Sequence, residues 1–386
     1  MWFFIFFLSA SFAGPKAKLP AQRLAVDDGG ALQLPEISIA VVGNTRPTSP
    51  MLDKRKAISG GASDLILGDI TARGVLDPMT FMVHLGDMVS ASTASAWRGF
   101  GKQYAAIIDG DTAPPTAIRR MPIVPVVGDR DCAKEPSCET LAKVFPGFGQ
   151  EIGYGRVATW QSFDLVVGDG ERWRAVVLDS NKEGLGSRWR EQLVWLRDAV
   201  TDPGKGLIVF IHESPLSRSK NKKAEGATEL MDLVAGAAPL LSIRAVFSAG
   251  TANTQVFLPE GGLGPLHVVA GGGGAPADDL TRGLKGRSDE PVLDPRFDAA
   301  VDSLVESYAG LEKAPSQKAL DEALGSGTFD GYPRVVDAGE FPTYGWWAVT
   351  LKAGSLGVEW RALQGTGALA NSAQWTWTAD TGWKAQ

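Results

Sequence analysis

Short apolar runs recur along the chain, and each ends in Gly, Asp, His or Ser. Runs of this length that are apolar at nearly every position are typical of strands buried on both faces of a sheet. The pattern predicts seven buried strands, which lie within ISIAVVG (37–43), TFMVHLG (80–86), MPIVPVVG (121–128), RAVVLDS (174–180), GLIVFIH (206–212), IRAVFSAG (243–250) and LHVVAGGGG (266–274).

Helical patterns lie between these runs. The clearest is SRWREQLVWLRDAV (187–200), which carries apolar residues on one face and is ended by the Asp-Pro-Gly sequence at 202–204. The alternation of strands and helices predicts an α/β fold with sheets between layers of helices. In such folds the chemistry collects in loops at the carboxyl ends of the strands.

The pattern changes after the glycine run at 271–274. A polar, Asp-rich stretch predicts a helical insertion at 285–330, and the apolar alternation that follows predicts closing antiparallel strands within 331–364. We interpret residues 365–386 as a loosely attached tail, although Trp375-Thr376-Trp377 alternates like a strand. The core is then expected to comprise residues 37–284 together with the closing strands.

The N-terminal segment MWFFIFFLSASFA (1–13) joins an apolar run to small residues. This predicts a secretory signal peptide cleaved after Ala13, a linker at 14–36, and export to the periplasm or the medium. An uncleaved membrane anchor is the alternative, because the segment has no basic residue before its apolar run. About eleven apolar residues are fewer than the roughly twenty that span a bilayer, so we expect no stable membrane span after cleavage.

The two cysteines, Cys132 and Cys138, are six positions apart. An exported protein meets an oxidising compartment, so we predict a disulfide between them. A ring this small stabilises the fold by only about 2 kcal/mol, and we expect it to order one loop.

Charge and composition exclude several classes of function. The chain has 44% hydrophobic and 21% charged residues and a formal net charge of -6, as in ordinary globular proteins. No basic surface is indicated, so we expect no nucleic-acid partner, and the sequence predicts no particular protein partner.

Five strand ends carry short polar motifs in an order that resembles the calcineurin-like metallophosphoesterases, a family that includes the purple acid phosphatases. These motifs are GNTR (43–46), GD (86–87), GDRD (128–131), FIHESPL (210–216) and FSAGTAN (247–253). The resemblance implies a four-layer α/β/β/α sandwich of two mixed sheets with flanking helices. It also implies a phosphoric ester hydrolase site, in which two metal ions activate water and polarise the phosphoryl group.

Several positions that match the family's metal ligands carry other residues here. Asn44 and Arg46 stand where the first motif has an acid and a histidine, and Thr251 and Asn253 replace the two histidines of the last motif. An amide is a weak metal ligand and a guanidinium cannot coordinate metal at all. The first metal position is therefore expected to be lost, because it keeps only Asp87.

A residual single metal site is the second expectation from the resemblance. Asp87 and His212 match the family's bridging acid and lone histidine, and Asp129 replaces an asparagine ligand. Two carboxylates, one imidazole and the Thr251 hydroxyl form a donor set for one divalent ion of Mn, Zn, Mg or Fe.

Two arginines lie in the same motif loops. We hypothesise that Arg46 and Arg130 replace part of the metal charge, neutralise the crowded carboxylates of Asp87, Asp129 and Asp131, and bind a small anionic or phosphorylated ligand. An internal network of Arg–Asp salt bridges without a ligand is the alternative.

Two functions are consistent with this sequence. The first is a pseudoenzyme with weak or no phosphoester hydrolysis, whose pocket binds a phosphate-bearing or other anionic ligand. The second is an active single-metal hydrolase of phosphomonoesters or phosphodiesters, in which Arg46 or Arg130 stabilises the phosphoryl charge. We favour the first, because one ion lacks the two-sided clamp on the attacking and leaving oxygens. Whether the protein is an enzyme stays open at this point.

Overall fold

The computed structural model describes most of the chain. The described residues are 31–46, 54–76, 79–108, 121–133, 138–145, 151–152, 156–157, 159–201, 204, 206–219, 225–237, 242–259, 264–275, 280–286, 335–340, 344–363 and 369–386. The predicted signal peptide at 1–13 lies outside them, as do residues 14–30 of the predicted linker and 287–330 of the predicted insertion. No described helix has the length and apolar character needed to cross a bilayer.

Helices and strands alternate through the first two thirds of the described chain. The helices are α1 (Lys54–Leu76), α2 (Ala94–Gln103), α3 (Ala105–Ile108), α4 (Glu139–Val144), α5 (Lys182–Leu185), α6 (Arg188–Val200) and α7 (Glu225–Ala237). The strands are β1 (Ala31–Leu34), β2 (Ile37–Val42), β3 (Phe81–His84), β4 (Ile123–Pro125), β5 (Glu151–Ile152), β6 (Arg156–Val157), β7 (Gln161–Val167), β8 (Glu171–Leu178), β9 (Leu207–Ile211), β10 (Leu216–Ser219), β11 (Ile243–Ser248), β12 (Thr254–Pro259), β13 (Leu266–Ala270), β14 (Leu280–Gly286), β15 (Val335–Glu340), β16 (Gly345–Lys352), β17 (Ser355–Leu363), β18 (Leu369–Thr378) and β19 (Gly382–Ala385).

Two large mixed sheets dominate the described part of the chain. One has the strand order β1-β7-β8-β9-β11-β13-β12-β15 and the other β19-β18-β17-β16-β2-β3-β4. Strands β2, β3 and β4 run parallel, as do β8, β9, β11 and β13, so their carboxyl ends meet at one edge of each sheet. Strands β10 and β14 form a separate antiparallel pair.

The apolar side chains divide into layers that match the predicted sandwich. One cluster lies between the two sheets and contains inward-facing residues of both, such as Val41 from β2 and Phe210 from β9. A second cluster packs the outer face of the first sheet against α6 and α7, through residues such as Leu196 and Leu230. A third packs the outer face of the other sheet against α1 and α2, and the α/β/β/α architecture is thereby confirmed.

All seven strands predicted from apolar runs are present, and the predicted helix at 187–200 is α6. Their sequences are apolar throughout because a sheet sandwiched between helices and a second sheet buries both of its faces. In β2, for example, all six residues are buried, with Ile39 facing the inner cluster and Ala40 the outer one.

A polar clamp fastens α1 to the outer face of its sheet. Asp69 of α1 accepts hydrogen bonds from Arg361 Nε at 2.7 Å and from Trp346 Nε1 at 2.8 Å. Arg73, one turn further along the helix, donates to Glu359 at 2.7 Å. These pairs are partly buried and two of them are charge-assisted, so they position the helix that lies beside the first motif loop.

The two ends of the core differ from the sequence-based expectation. Residues Ala31–Leu34, taken as part of a linker, form β1, which pairs in parallel with β7. Residues 369–385, taken as a loosely attached tail, form β18 and β19, which extend the second sheet beyond β17. The alternating tryptophans explain the second difference, because Trp375 and Trp377 insert one face of β18 into the core between the sheets.

Replacing Trp377 by alanine is expected to lower the free energy of unfolding by about 3–5 kcal/mol. The Trp377 ring lies edge-to-face on Trp173 of the facing sheet at 5.6 Å and beneath the Arg244 guanidinium at 4.2 Å. Urea denaturation of the variant measures the effect, with Lys384→Ala on an exposed position of β19 as the control. A midpoint unchanged in Trp377→Ala would show instead that the C-terminal strands are loosely attached.

Candidate functional site

The five motif loops meet where the carboxyl ends of the two sheets adjoin. In the loop after β2, Asn44 N donates to Gly86 O at 3.0 Å, which joins it to the loop after β3. In the facing sheet, Ala249 N donates to His212 O at 2.8 Å. Gly273 N then donates to Gly43 O at 3.0 Å, so the loops of both sheets form one connected surface.

The loops approach so closely that glycine is required at two of the motif positions. Gly86 has φ 90, in the region that favours glycine, and Asp87 follows it with φ 54. A Cβ atom at Gly128 would lie 2.3 Å from Asp87 N and 2.8 Å from Asp87 Oδ1. Position 128 therefore has no space for a side chain. The close contact with Gly128 stabilises the left-handed backbone of Asp87.

Asp131 connects the second and third motif loops through both of its carboxylate oxygens. Oδ2 accepts from Asp87 N at 2.9 Å and from Gly128 N at 3.0 Å. Oδ1 accepts from Met88 N at 2.9 Å and from Val89 N at 3.2 Å. The side chain is fully buried, so these four N–H groups supply its solvation.

Opposing effects act on the charge of Asp131. Burial, followed by the nearby Asp87 carboxylate, raises the pKa of Asp131 to about 7, whereas the N–H groups of Gly128 and Val89 act against that increase. A proton on either oxygen would have to displace one of the four N–H donors. The protonation state of Asp131 that this geometry accommodates is therefore the ionised carboxylate.

Two guanidinium groups share the carboxylate of Asp87. Arg46 Nη1 donates to Asp87 Oδ2, and Arg130 Nε lies 3.5 Å from the same oxygen. The backbone N–H of Arg130 also donates to Asp87 Oδ1 at 3.3 Å. Asp87 is buried, with 8% of its side chain exposed, whereas Arg46 is 22% and Arg130 50% exposed. The arginines therefore lie between a buried carboxylate and solvent.

His212 is buried beside Asp87, and its hydrogen-bond contacts determine which ring nitrogen carries the proton. Nδ1 is 2.7 Å from Leu85 O, which can only accept, so Nδ1 carries a proton. Nε2 lies 3.8 Å from Asp87 Oδ1. Burial by itself lowers the pKa of His212, but the carboxylates of Asp87 and Asp129 more than offset it, and the pKa is raised.

The last motif loop carries a buried, uncharged polar cluster. Asn253 Oδ1 accepts from Gln255 Nε2 at 2.6 Å and from Thr251 Oγ1 at 3.1 Å. Gln255 Nε2 also donates to Ser217 Oγ at 3.2 Å, which ties the cluster to β10. Asn44 joins the same loop from the other sheet, because its Nδ2 donates to Ala249 O.

His84, the last residue of β3, forms a buried hydrogen-bonded chain. Its Nδ1 accepts from Gly86 N at 3.2 Å, so its Nε2 carries the proton and donates to Thr45 Oγ1 at 2.7 Å. Tyr104 O–H donates to the same hydroxyl at 2.9 Å. Burial and the nearby His212 lower the pKa of His84 to about 3, so it stays neutral and supports the first motif loop.

The predicted disulfide between Cys132 and Cys138 is present. It begins one residue after Asp131 and ends one residue before α4. The loop that carries Arg130 is thus fixed directly after Arg130, by the Asp131 carboxylate and by the disulfide at the next residue.

The side chains at these strand ends offer few ligands for a metal ion. Within the described ranges, no group of three or more His, Cys, Asp or Glu residues is placed to hold a metal ion. Asp87 already has guanidinium groups on Oδ2, and the two residues at the last motif are an amide and a hydroxyl. A two-metal centre does not fit this donor set, and binding of one ion by Asp87, Asp129 and His212 stays a prediction.

Most of the predicted site residues lie together, and some important neighbours were missed. Asp87, Arg46, Arg130 and His212 form one cluster, and Asp129 acts on His212 through its charge. Sequence analysis did not single out the polar residues that line the facing sheet's loops. These are Ser214, which lies within the FIHESPL motif, and Ser217 and Gln255, which lie just beyond a motif; these positions are the only signal for them.

Replacing Asp131 by asparagine is expected to lower the free energy of unfolding by about 2–6 kcal/mol. The amide would place an N–H₂ group against two N–H donors and leave both without an acceptor, at about 1–3 kcal/mol each. Urea denaturation measures the loss. Asp169→Asn, at an exposed turn between β7 and β8, is the matched control and should change stability by less than about 0.5 kcal/mol. Equal midpoints for the two variants would contradict the role assigned to Asp131.

The raised pKa of His212 makes stability depend on pH. A proton bound more tightly in the folded state stabilises it fully below the unfolded value of 6.5, and that contribution is lost as pH rises through the higher folded value. We expect His212→Gln to reduce stability most below about pH 6.5, with a smaller effect at higher pH. Denaturation of both proteins from pH 5 to 9 tests this, and a pH-independent difference would contradict it.

Comparisons with known proteins agree on the fold. No family model matches the sequence, and no curated protein sequence matches it. The structure is similar to purple acid phosphatase PPD1 from yellow lupin (Lupinus luteus) seeds, with a TM-score of 0.54, 14% identity, and 89% of this chain and 54% of that chain covered. It is also similar to PhoD, with a TM-score of 0.52, 10% identity, and 92% and 72% coverage.

A third similar structure is GAP50, described as the anchor in the inner membrane complex of Plasmodium. Its TM-score is 0.50 at 13% identity, and 87% of this chain and 88% of that chain are covered. The chain spans about half the length of the lupin phosphatase chain. At these identities the likeness concerns the fold alone, and this chain has the two-sheet α/β sandwich of metallophosphoesterase-fold proteins.

Proposed function

We propose that the strand-end site binds a phosphate-bearing or other anionic ligand through Arg46 and Arg130, with weak or no hydrolysis of phosphate esters. The observation that supports this most directly is the pair of guanidinium groups on the single carboxylate of Asp87.

The arginines have more hydrogen-bonding capacity than Asp87 uses. A guanidinium carries five N–H donors in a planar fork that matches the oxygens of phosphate or sulfate. Arg46 contacts Asp87 through Nη1, and Arg130 approaches it through Nε, which leaves the other nitrogens of both side chains for further acceptors. Arg130 is half exposed, so a ligand can reach it from solvent.

Weak or absent hydrolysis follows from the same contacts. In a two-metal phosphoesterase, the metal ions generate the nucleophile and hold the attacking and leaving oxygens. Here Arg46 and Arg130 lie against Asp87, whose carboxylate would otherwise hold the ions. Arginine does stabilise phosphoryl charge, but it is always protonated and cannot activate water as a base. Binding is therefore the function that these side chains support best.

An active phosphoesterase with one metal ion is the second candidate. His212 supports it, because Nδ1 of the neutral ring carries the proton. Nε2, 3.8 Å from Asp87, then has a lone pair that can coordinate a metal ion. Asp129 would complete the set of three ligands. Arg46 contacts Oδ2 of Asp87, whereas the oxygen nearer to His212 is Oδ1, so an ion held together with His212 would bind Asp87 through Oδ1.

The proposal places the protein in the cell envelope or outside the cell. The apolar segment at 1–13 supports export through its resemblance to a signal peptide. The Cys132–Cys138 disulfide supports it independently, since structural disulfides persist in oxidising compartments. Retention of the N-terminal segment as a membrane anchor is the alternative.

Inorganic phosphate, sulfate or phenyl phosphate is expected to raise the melting temperature, and Arg130→Ala is expected to weaken binding by tenfold or more. A hydrogen bond to a charged group contributes about 1.5–3 kcal/mol, and 1.4 kcal/mol corresponds to tenfold in affinity. Thermal-shift titrations measure both effects. Arg98→Ala, which removes an exposed arginine of α2, is the matched control and should leave affinity unchanged.

The same preparation distinguishes the alternatives. No stabilisation by any of these anions would favour an internal Arg–Asp network without a ligand. Metal analysis and hydrolysis of an aryl phosphate test the second candidate. One metal ion per chain, together with turnover that Asp87→Asn abolishes, would overturn the proposal of weak or absent catalysis.

A further inference from the structure

The side-chain amide of Asn253 has a donor group with no acceptor. Its Oδ1 accepts from Gln255 and Thr251, and this pattern assigns the other end of the amide to Nδ2. Among the residues that the structure describes, Nδ2 has no hydrogen-bond partner. Asn253 is only 4% exposed, and an unpaired buried donor costs stability unless a ligand or water occupies it.

Ser214 presents a second donor of the same kind. It lies two residues after His212, is fully buried, and its Oγ has no partner within the described part of the chain. A hydroxyl that is buried without a partner is rare in folded proteins, and two such groups in neighbouring motif loops call for a common explanation.

The loops that carry these two groups are packed together. They follow β9 and β11, which are adjacent parallel strands. A Cβ atom at Gly250 would lie 2.7 Å from Glu213 Cα and 3.3 Å from Ser214 N, so the two backbones are in contact. The hydroxyl groups of Ser217 and Thr251 lie 3.5 Å apart, which gives a second contact between the same two segments.

This surface continues to the arginines. Asn44 reaches the loop after β11 through its bond to Ala249 O, and a Cβ atom at Gly271 would lie 3.0 Å from Asn44 Nδ2 and 1.8 Å from Thr251 O. Asn44 and Arg46 lie on one short loop, whose backbone bonds to Gly86 and Asp87. The buried amide, the hydroxyl and the exposed guanidinium groups therefore belong to one set of converging loops.

We propose that Ser214 and Asn253 form the buried, uncharged end of the anion site and donate hydrogen bonds to oxygens of a tetrahedral oxyanion, phosphate or sulfate. This inference rests on the proposed function. Arg46 and Arg130 supply charge at the solvent side, and the neutral donors fix how deeply the oxyanion enters. Neutral donors add hydrogen bonds without adding charge, so they contact oxygen acceptors in sulfate as well as in phosphate.

Ser214→Ala separates a ligand role from a structural one. In buffer that contains EDTA and no phosphate or sulfate, we expect its melting temperature to equal or exceed that of the wild type, because the change removes an unpaired buried hydroxyl. Its affinity for inorganic phosphate, measured by titration calorimetry on the full chain, should fall by about tenfold. Ser38→Ala, at a buried position near the opposite end of β2, is the matched control and should keep wild-type affinity.

Asn253→Asp tests the second donor. The substitution keeps Oδ1 for Gln255 and Thr251 and replaces only the unpaired Nδ2, which puts a negative charge against the oxyanion. We expect phosphate and sulfate affinity to fall at least tenfold, and circular dichroism verifies that the variant is folded. If Asn253→Asp fails to fold, Ser214→Ala alone decides.

The outcomes separate this inference from the function on which it rests. If the wild type binds neither phosphate nor sulfate, the proposed function fails and the subsite fails with it. If the wild type binds and Arg130→Ala weakens binding, but Ser214→Ala keeps wild-type affinity, the anion site stands and the buried subsite is refuted. A lower melting temperature of anion-free Ser214→Ala would also refute it, because the hydroxyl would then have a structural partner.

Discussion

The hydrogen bonds of one buried carboxylate determine the geometry on which the whole site depends. Asp131 accepts from four backbone N–H groups, three of them in the loop after β3 and one in its own loop. These groups lie where the backbone turns sharply and could not bond within a sheet. Without Asp131 they would be buried donors without acceptors, at a cost that few loops could tolerate. The carboxylate therefore permits Asp87 to adopt its left-handed conformation and to face the arginines.

The charge arrangement at this edge follows from that framework. Asp131 is satisfied by backbone N–H groups, so its charge does not require a cation, whereas Asp87 is paired with two arginine side chains that are partly exposed. Arg46 and Arg130 neutralise it from the solvent side, and His212 lies behind it with a raised pKa. Under the proposed function, the guanidinium groups bind an anion at the solvent side, and neutral donors contact it further inside. The fold that it shares with metallophosphoesterase-fold proteins supplies the loops, and the side chains decide their chemistry.

The strands were predictable because burial on both faces leaves an unmistakable apolar run, as in Leu207–Ile211. Helix α6 was predictable from its apolar face, and the disulfide from the proximity of its cysteines. The C-terminal strands were not, because Trp375 and Trp377 show the period of a strand without showing what covers it. Only the facing sheet, which brings Trp173 onto Trp377, explains why these residues belong to the core. Strand β1 is four residues long and follows no such pattern, so its pairing with β7 depends on the sheet already present.

The sequence by itself determined the apolar layers, the order of the motif loops and the residue types at their ends, since these depend on local periodicity and composition. It did not determine which charges meet. Tertiary structure decided that Arg46 pairs with Asp87 and that Asp131 accepts from backbone N–H groups. It also decided that Asn253 Nδ2 has no hydrogen-bond partner among the described residues. The reason is physical: hydrogen bonds act over about 3 Å, and Arg46, Asp87 and Asp131, which are separated by 41 and 44 positions, reach that distance only after β2, β3 and β4 have paired in one sheet.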